Sequence, residues 1–157
     1  MTVVITIANE KGGVAKTTTA LSLGAALVQA KQQVLVVDLD PQANLTLALG
    51  IKPRSLHRTV TEILLGNQDI DSISQETEVS GLFLAPSNHE LGMAERYLTV
   101  RDGYEFILRG ALANSSSHDY IIIDCPPALG PITHSALVAA NLLIIPTQCE
   151  FFSANAL

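Results

Sequence analysis

The sequence predicts an α/β domain with a mostly parallel sheet and helices on both of its faces, giving three layers. Two observations carry this prediction. Five short aliphatic runs recur along the chain, and each is followed by a polar, glycine or proline turn. These runs are continuous rather than alternating, as is typical of strands buried on both faces of a parallel sheet. Stretches with helical spacing of apolar residues lie between them, which favours right-handed strand–helix–strand crossovers.

The predicted strands share aliphatic, largely β-branched composition and a length of four or five residues before the turn. They are VVITI (3–7), VLVVD (34–38), LFLAP (82–86), YIIID (120–124) and LLIIP (142–146).

Four stretches have the apolar spacing of helices. Thr17–Ala30 is rich in alanine and leucine, and Thr59–Leu65 and Tyr104–Asn114 are further candidates. Pro131–Ala140 begins with a proline, which is favoured in the first turn of a helix. The least regular part is Ile51–Ser80, which we expect to form a surface excursion rather than a linker between domains.

Composition places the chain among globular proteins. Its 157 residues suffice for about one domain, and 48% hydrophobic with 15% charged residues argues against disorder. The net charge is −6, and the basic residues are scattered rather than arranged in a stripe. The sequence therefore gives no indication of electrostatic DNA binding by these residues.

Targeting and redox features favour a soluble cytoplasmic protein. Cys125 and Cys149 are too far apart for a CxxC pair, and we expect reduced, buried thiols. The N-terminus has no basic region typical of a signal peptide, and no apolar run approaches bilayer-spanning length. After the last strand, TQCEFFSANAL starts what reads as another helix, so residues 1–157 are interpreted as one domain that is incomplete at its C-terminus.

A candidate phosphate-binding loop, NEKGGVAKTT (Asn9–Thr18), lies between the first strand and the first helix. This is the context in which backbone N–H groups and the helix dipole attract an anion. Gly12 and Gly13 allow close approach of the backbone. Lys16 can reach terminal phosphates, and the Thr17 hydroxyl can ligate Mg²⁺. The alternative is a glycine-containing turn before an ordinary helix.

Three acidic residues follow strands and are candidates for metal and water chemistry. Asp38 and Asp40 lie at the end of the second strand, and Asp124 ends the fourth. Since ligands of open α/β sheets bind at the carboxyl ends of strands, these acids should converge with the loop. Asp124 suits positioning of Mg²⁺ through water, and Asp40 suits activation of an attacking water. The alternative is that the acids only cap turns.

Four segments in this order resemble the ParA/Soj partition ATPases of the deviant Walker A (ParA/MinD) P-loop family. The segments read KGGVAKTT, VVDLDPQANLT, YIIIDCPPALG and ALVAANLLIIPTQCE, and the likeness runs from the first strand to the last residue. The resemblance implies a P-loop NTPase fold, ATP and Mg²⁺ as ligands, and an ATPase that works as a nucleotide-sandwich dimer.

The resemblance also assigns roles to individual residues. It implies that Lys11 reaches the phosphates of the partner subunit's ATP, and that Lys16 acts in its own subunit. Thr17 and Asp124 hold Mg²⁺, with Asp38 near the metal, and Asp40 orients water. The remaining loop positions expected to contact nucleotide are Gly12, Gly13, Val14, Ala15 and Thr18.

Ala15 departs from the family pattern, which has glycine at this position. If the loop requires positive φ there, a non-glycine residue is strained by about 1–2 kcal/mol. The methyl group could also crowd the phosphates. We expect nucleotide binding to persist in weakened form.

The family resemblance implies partners for the full-length protein. These are a ParB-like adaptor and nonspecific DNA, with cargo such as a plasmid or chromosome, and no membrane. Three alternatives remain: a MinD-like membrane-cycling ATPase, a nucleotide-dependent binding module with little or no catalysis, and a ligase or synthetase on the same loop. The last would need a substrate pocket that the sequence does not identify.

Overall fold

The computed structural model describes residues 2–66, 68–113, 115 and 117–148. Within these residues the strands are β1 (Val3–Ile7), β2 (Val34–Asp38), β3 (Gln75–Glu76), β4 (Leu82–Ala85), β5 (Tyr120–Asp124) and β6 (Leu142–Ile144). The α-helices are α1 (Lys16–Gln29), α2 (Asn44–Ala48), α3 (Val60–Gly66), α4 (Leu91–Leu98), α5 (Ile107–Ala113) and α6 (Pro131–Ala139).

The strands form one sheet in the order β3-β4-β2-β5-β1-β6. All neighbours are parallel except β3, which runs antiparallel to β4. In register, Asp124 lies beside Ile7 of β1 and beside Asp38 of β2. The carboxyl ends of the three central strands therefore meet at one edge, directly below the loop that leads into α1.

Alternate residues of the central strands face two separate cores. Leu35 and Ile121 pack on one face against side chains of α3, α4, α5 and α6. Val36 and Ile122 point to the other face, where α1 and α2 cover them. This arrangement confirms the predicted three-layer fold and explains why the strand sequences are hydrophobic without alternation.

Most predicted elements are confirmed, with shifts of one or two residues at their ends. The predicted helix at 104–114 begins instead as a 3₁₀ turn, Tyr104–Phe106, and continues as α5. The short elements α2, α4 and β3 were not predicted from the sequence. They are too short for a periodic pattern of apolar residues to predict them, and their packing against the rest of the fold determines their structure.

Two expectations about burial are wrong. The segment 51–80 is not only a surface excursion, because Ile63 and Leu64 of α3 and Ile70 after it are fully buried in the core. In β6, Leu142 and Leu143 are 56% and 47% exposed, although the run was predicted to be buried on both faces. The physical reason is position, since β6 is an edge strand paired on one side, with β1, within the described residues.

Cys125 is a buried free thiol, as expected, and burial raises its pKa. Cys149 lies outside the described residues. Among the residues that the structure describes, no helix has the length and apolar character to cross a membrane.

Candidate phosphate-binding site

The loop between β1 and α1 is held by hydrogen bonds at both of its ends. The Asn9 side chain accepts a hydrogen bond from Lys11 N–H at 2.9 Å and donates one to the Pro146 carbonyl at 2.9 Å. Gln148 Nε2 donates to the Gly13 carbonyl at 3.3 Å. The segment that follows β6 thus anchors the loop, which leaves backbone N–H groups at the start of α1 available for an anion.

Lys16 is buried in this loop rather than extended into solvent. Its side chain is 8% exposed, and Nζ donates a hydrogen bond to the Lys11 carbonyl oxygen at 3.1 Å. An ammonium group in this position supplies positive charge inside the loop, where water screens it little. Gly13 has a φ of 78° with open space around the position of a Cβ, which fits a backbone that turns around a ligand.

A cavity of about 490 Å³ lies above the loop and the strand ends. Six predicted binding residues and the predicted water-orienting acid line it: Gly12, Gly13, Ala15, Lys16, Thr17, Thr18 and Asp40. Lys11 and Val14, also predicted, do not line it, and Val14 is buried with 3% exposure. The structure thus brings most of the predicted set to one concave surface.

Thr17 lines the cavity, and Asp124 is buried directly behind it. Thr17 Oγ1 donates a hydrogen bond of 2.6 Å to Asp124 Oδ2, and Asp124 is 1% exposed. Its other oxygen, Oδ1, is buried and lacks a hydrogen-bond partner. Burial raises the pKa of Asp124 to about 7, although the hydrogen bond from Thr17 acts in the opposite direction. A buried carboxylate with an unsatisfied oxygen calls for a cation.

Asp38 lies beside Asp124 but is fully enclosed by protein groups. Its Oδ1 accepts a hydrogen bond from Asp40 N–H at 3.1 Å, and Oδ2 accepts from Thr46 N–H at 2.9 Å and Thr46 Oγ1 at 2.7 Å. Burial raises the pKa of Asp38 to about 6. The structure therefore places this acid behind the cavity wall rather than on its surface.

Asp40 lies on the cavity surface, in a tight turn that follows β2. Its Oδ1 accepts a hydrogen bond from Gln42 N–H at 2.9 Å, and Ala43 N–H donates to the Asp40 carbonyl at 2.8 Å. The first bond fixes the Asp40 carboxylate over its own turn, and the second closes the turn itself. A carboxylate held in this way has free lone pairs with which to hold a water molecule.

The residues present fit a magnesium ion. Within the described ranges no group of three or more His, Cys, Asp and Glu could form a metal centre. Mg²⁺ does not need such a centre, since it commonly uses one or two protein oxygens together with waters and ligand phosphates. Thr17 Oγ1 and the unpartnered oxygen of Asp124 are oxygens of that kind.

Ala15 has the positive φ that the sequence led us to expect. Its φ and ψ are 65° and 31°, and it precedes α1 without a side-chain cap. Ala43 has the same left-handed conformation, with φ of 54°, directly before α2. Both alanines stand where glycine is favoured, and each begins a helix at the edge of the cavity region.

Three residues that line the cavity were not predicted from the sequence as site residues. They are Gln42, Asn44 and Pro127. All three lie within the quoted segments DLDPQANLT and IIIDCPP, close to the acids that were chosen. Their position after predicted strands was the available signal, but polar and proline residues in turns are usually structural.

A phosphate-binding loop between β1 and α1, with acids at the ends of β5 and of β2, the next two strands on one side of β1, defines the P-loop NTPase class. The AAA_31 family model, described as an AAA domain, matches residues 2–157. The chain belongs to this family, and within it to the ParA/Soj type with a deviant Walker A loop.

Curated relatives and solved structures agree with this placement. The chain is 44% identical to chromosome partitioning protein ParA of Myxococcus xanthus over 98% of its own length and 55% of the relative's. It is 43% identical to sporulation initiation inhibitor protein Soj of Bacillus subtilis, over 98% and 61%. The chain therefore spans somewhat more than half the length of these relatives.

Among solved structures, cobyrinic acid a,c-diamide synthase from Mycobacterium smegmatis with bound ADP and magnesium has a TM-score of 0.95. It shares 46% sequence identity, and the match covers 100% of this chain and 64% of that one. The Cyanothece McdA(D38A)–ATP complex has a TM-score of 0.92 at 33% identity, covering 99% and 60%.

Proposed function

We propose that this chain is the nucleotide-binding part of a ParA-like partition ATPase, which binds Mg-ATP and hydrolyses it slowly in a nucleotide-sandwich dimer. The observation that carries the proposal is the Thr17–Asp124 pair, whose buried, unpartnered Asp124 oxygen lies below a glycine-rich loop. The relatives named ParA and Soj, and the solved structures with ATP or ADP, support the same assignment.

Binding is assigned to the loop and the start of α1. Backbone N–H groups from Gly12 to Thr18 face the phosphates, and Lys16 supplies positive charge from the same subunit. Thr17 and Asp124 hold Mg²⁺, which on binding offsets the charge of the buried carboxylates. Asp38 supports this centre from behind, since hydrogen bonds from the protein occupy its own oxygens.

Hydrolysis is assigned to Asp40 and to charge neutralisation by lysine. Asp40 is held by Gln42 N–H and faces the cavity, where it orients a water molecule toward the terminal phosphate. Lys11 acts on the partner subunit's nucleotide, which makes catalysis depend on dimerisation. Positive charge placed where charge develops stabilises phosphoryl transfer.

The partners belong to the proposal for the full-length protein. They are a second copy of the chain on ATP binding, nonspecific DNA and a ParB-like adaptor, with plasmid, chromosome or other cargo, in the cytoplasm. The net charge of −6 supports placing DNA contacts outside these 157 residues.

The test is to measure Mg²⁺-dependent binding of a fluorescent ATP analogue and release of phosphate by the same preparation. We expect Lys16→Ala to lose binding and Asp40→Ala to bind but release phosphate at least tenfold more slowly. Lys31→Ala, at an exposed lysine beyond α1, is the matched control. Absence of binding by the unaltered chain would reject the nucleotide site. Binding without phosphate release, with or without DNA, would favour the noncatalytic binding module.

A synthetase is the second candidate, because one observation now favours it. A cavity of about 720 Å³ adjoins the phosphate site, shares Gln42 with it, and is lined by Lys52, Arg54 and His89 among others. The cationic side chains of Lys52 and Arg54 suit a carboxylate substrate, and one similar solved structure is described as a synthase. Phosphate release that rises only when carboxylates and an amine donor are supplied would favour this candidate over the partition ATPase.

A further inference from the structure

A buried hydrogen-bonded junction connects the β2–α2 loop to the end of β4. Thr46, the middle residue of α2, is fully buried, and so is Asp38. The Thr46 hydroxyl donates to Asp38 Oδ2 at 2.7 Å and accepts a hydrogen bond from Ser87 N–H at 3.0 Å. Thr46 N–H also donates to Asp38 Oδ2 at 2.9 Å. One side chain therefore joins three segments of the chain.

The junction continues the sheet beyond its last paired residues. The β2–β4 ladder ends at Val37 and Ala85, so the next residues of both strands lack direct pairing in that ladder. The Thr46 hydroxyl fills this gap by linking Asp38 to Ser87. A hydroxyl can donate to the carboxylate and accept from the amide at the same time, which threonine and serine both provide and valine does not.

Through Asp38 the junction reaches the residue that faces the cavity. Asp38 Oδ1 accepts from Asp40 N–H at 3.1 Å, so the position of the Asp38 carboxylate determines where the Asp40 backbone lies. Asp40 in turn lines the phosphate cavity. Thr46 supplies two of the three hydrogen bonds that the Asp38 carboxylate accepts, one from its hydroxyl and one from its backbone N–H.

We propose that Thr46 is a positioning residue, which sets the Asp38 carboxylate and through it the orientation of Asp40 toward the attacking water. The catalytic consequence rests on the proposed ATPase function, while the junction itself does not. Loss of the hydroxyl leaves Asp38 Oδ2 with one donor and the buried Ser87 N–H without an acceptor. A buried donor left without an acceptor is unfavourable, so we expect the loop to shift until water reaches these groups.

The variants are Thr46→Val, which keeps the shape but removes the hydroxyl, and Thr46→Ser, which retains it. The matched control is Thr61→Val, since Thr61 is also buried but its Oγ1 lacks a hydrogen-bond partner. Thr46→Cys is a further variant, with a weaker donor and acceptor, in case Thr46→Val does not fold.

The first readout is amide hydrogen exchange, which needs no nucleotide. We expect Ser87 and Asp40 amides to exchange at least tenfold faster in Thr46→Val than in the unaltered chain, and Thr46→Ser and Thr61→Val to match the unaltered chain. Exchange rates in Thr46→Cys should lie between those of Thr46→Val and the unaltered chain. Unchanged exchange at both amides would overturn the proposal that Thr46 holds Asp38 and Asp40, whatever the outcome for activity.

The second readout separates positioning from general destabilisation. We expect Thr46→Val to lower kcat for ATP at least tenfold while changing KM less than threefold, and Thr46→Ser to restore kcat. Equal kcat in Thr46→Val and the unaltered chain would overturn the positioning role. An unaltered chain that binds no nucleotide would reject the proposed function instead, and the exchange measurement would still decide whether Thr46 holds Asp38 and Asp40.

Discussion

Thr17 Oγ1 donates a 2.6 Å hydrogen bond to Asp124 Oδ2, which joins the first turn of α1 to the end of β5. The two residues are 107 positions apart in sequence, and their contact links Thr17, which lines the cavity, to the buried Asp124 behind it. The unpartnered Oδ1 of Asp124 lies in the same place. This pair is therefore where the fold offers oxygen ligands to a cation.

Removal of the Thr17 hydroxyl should abolish the increase in ATP affinity that Mg²⁺ provides. We expect Thr17→Val to reduce the affinity for an ATP analogue at least tenfold in Mg²⁺ while leaving the affinity in EDTA little changed, since the hydroxyl and the Asp124 carboxylate that it orients are assigned to the metal rather than to the nucleotide. Thr19→Val is the control, because Thr19 Oγ1 bonds to the Ala15 carbonyl within the helix. A Thr17→Val variant with full Mg²⁺ dependence would contradict the metal site.

Asp124 should destabilise the chain as pH rises in the absence of ligand. Its folded pKa of about 7 exceeds the ordinary value of 3.8, so the folded state binds the proton more tightly than the unfolded state. The contribution of Asp124 to the free energy of unfolding is therefore greatest below about pH 4 and is lost between about pH 4 and pH 7. We expect Asp124→Asn to be more stable than the unaltered chain at pH 8, by roughly 2–4 kcal/mol, and no more stable at pH 4.

Urea unfolding across this pH range measures the difference, and Asp102→Asn, at an exposed aspartate, is the control. A constant difference between Asp124→Asn and the unaltered chain from pH 4 to pH 8 would show that the carboxylate titrates normally. Saturating Mg²⁺ and ATP should reverse the sign at pH 8, because the cation offsets the buried charge.

Ala15→Gly should relieve strain in the phosphate loop. The φ of 65° at Ala15 favours glycine, and the methyl group lies on the cavity surface. We expect a gain of about 0.5–1 kcal/mol in unfolding free energy and a several-fold gain in ATP affinity. Ala43→Gly, at φ of 54° but outside the phosphate cavity, should not raise affinity. Equal ATP affinity and turnover with and without the methyl group would dismiss crowding of the phosphates.

Lys11→Ala should retain ATP binding but lose ATP-dependent dimerisation. The family resemblance places this lysine on the nucleotide of the partner subunit, and in the structure it does not line its own cavity. We expect the variant to bind ATP with affinity within threefold of normal, yet to remain monomeric with ATP in analytical ultracentrifugation. An ATP-dependent dimer of Lys11→Ala would argue against the trans role.

The open edge of the sheet should promote association. Leu142, Leu143 and Ile145 are 56%, 47% and 42% exposed along β6 and the residue after it. Exposed apolar side chains on an edge strand favour contacts with other chains. We expect concentration-dependent oligomers of these 157 residues, reduced by Leu142→Thr with Leu143→Thr. A monodisperse monomer with a sharp cooperative melt would contradict this expectation.

Most of the candidate site could be predicted from the sequence because its residues lie at or just after the ends of strands. The glycines, Lys16 and Thr17 follow β1 directly, and Asp40 and Asp124 follow or end buried strands. The roles of Thr46 and Asn9 could not be predicted, because both act through bonds to distant segments at Ser87 and Pro146. A local sequence pattern does not predict contacts with residues so far away in the chain.

The sequence by itself determined the alternation of strands and helices, the phosphate loop and the carboxylates. These follow from short-range chemistry, namely aliphatic strands, glycine turns and helix starts. Tertiary structure decided that β6 lies exposed at an edge, that residues 60–73 belong to the core, and that Asp38 is enclosed by Thr46. Each of these depends on strand order and on contacts between distant segments, which the local sequence does not encode.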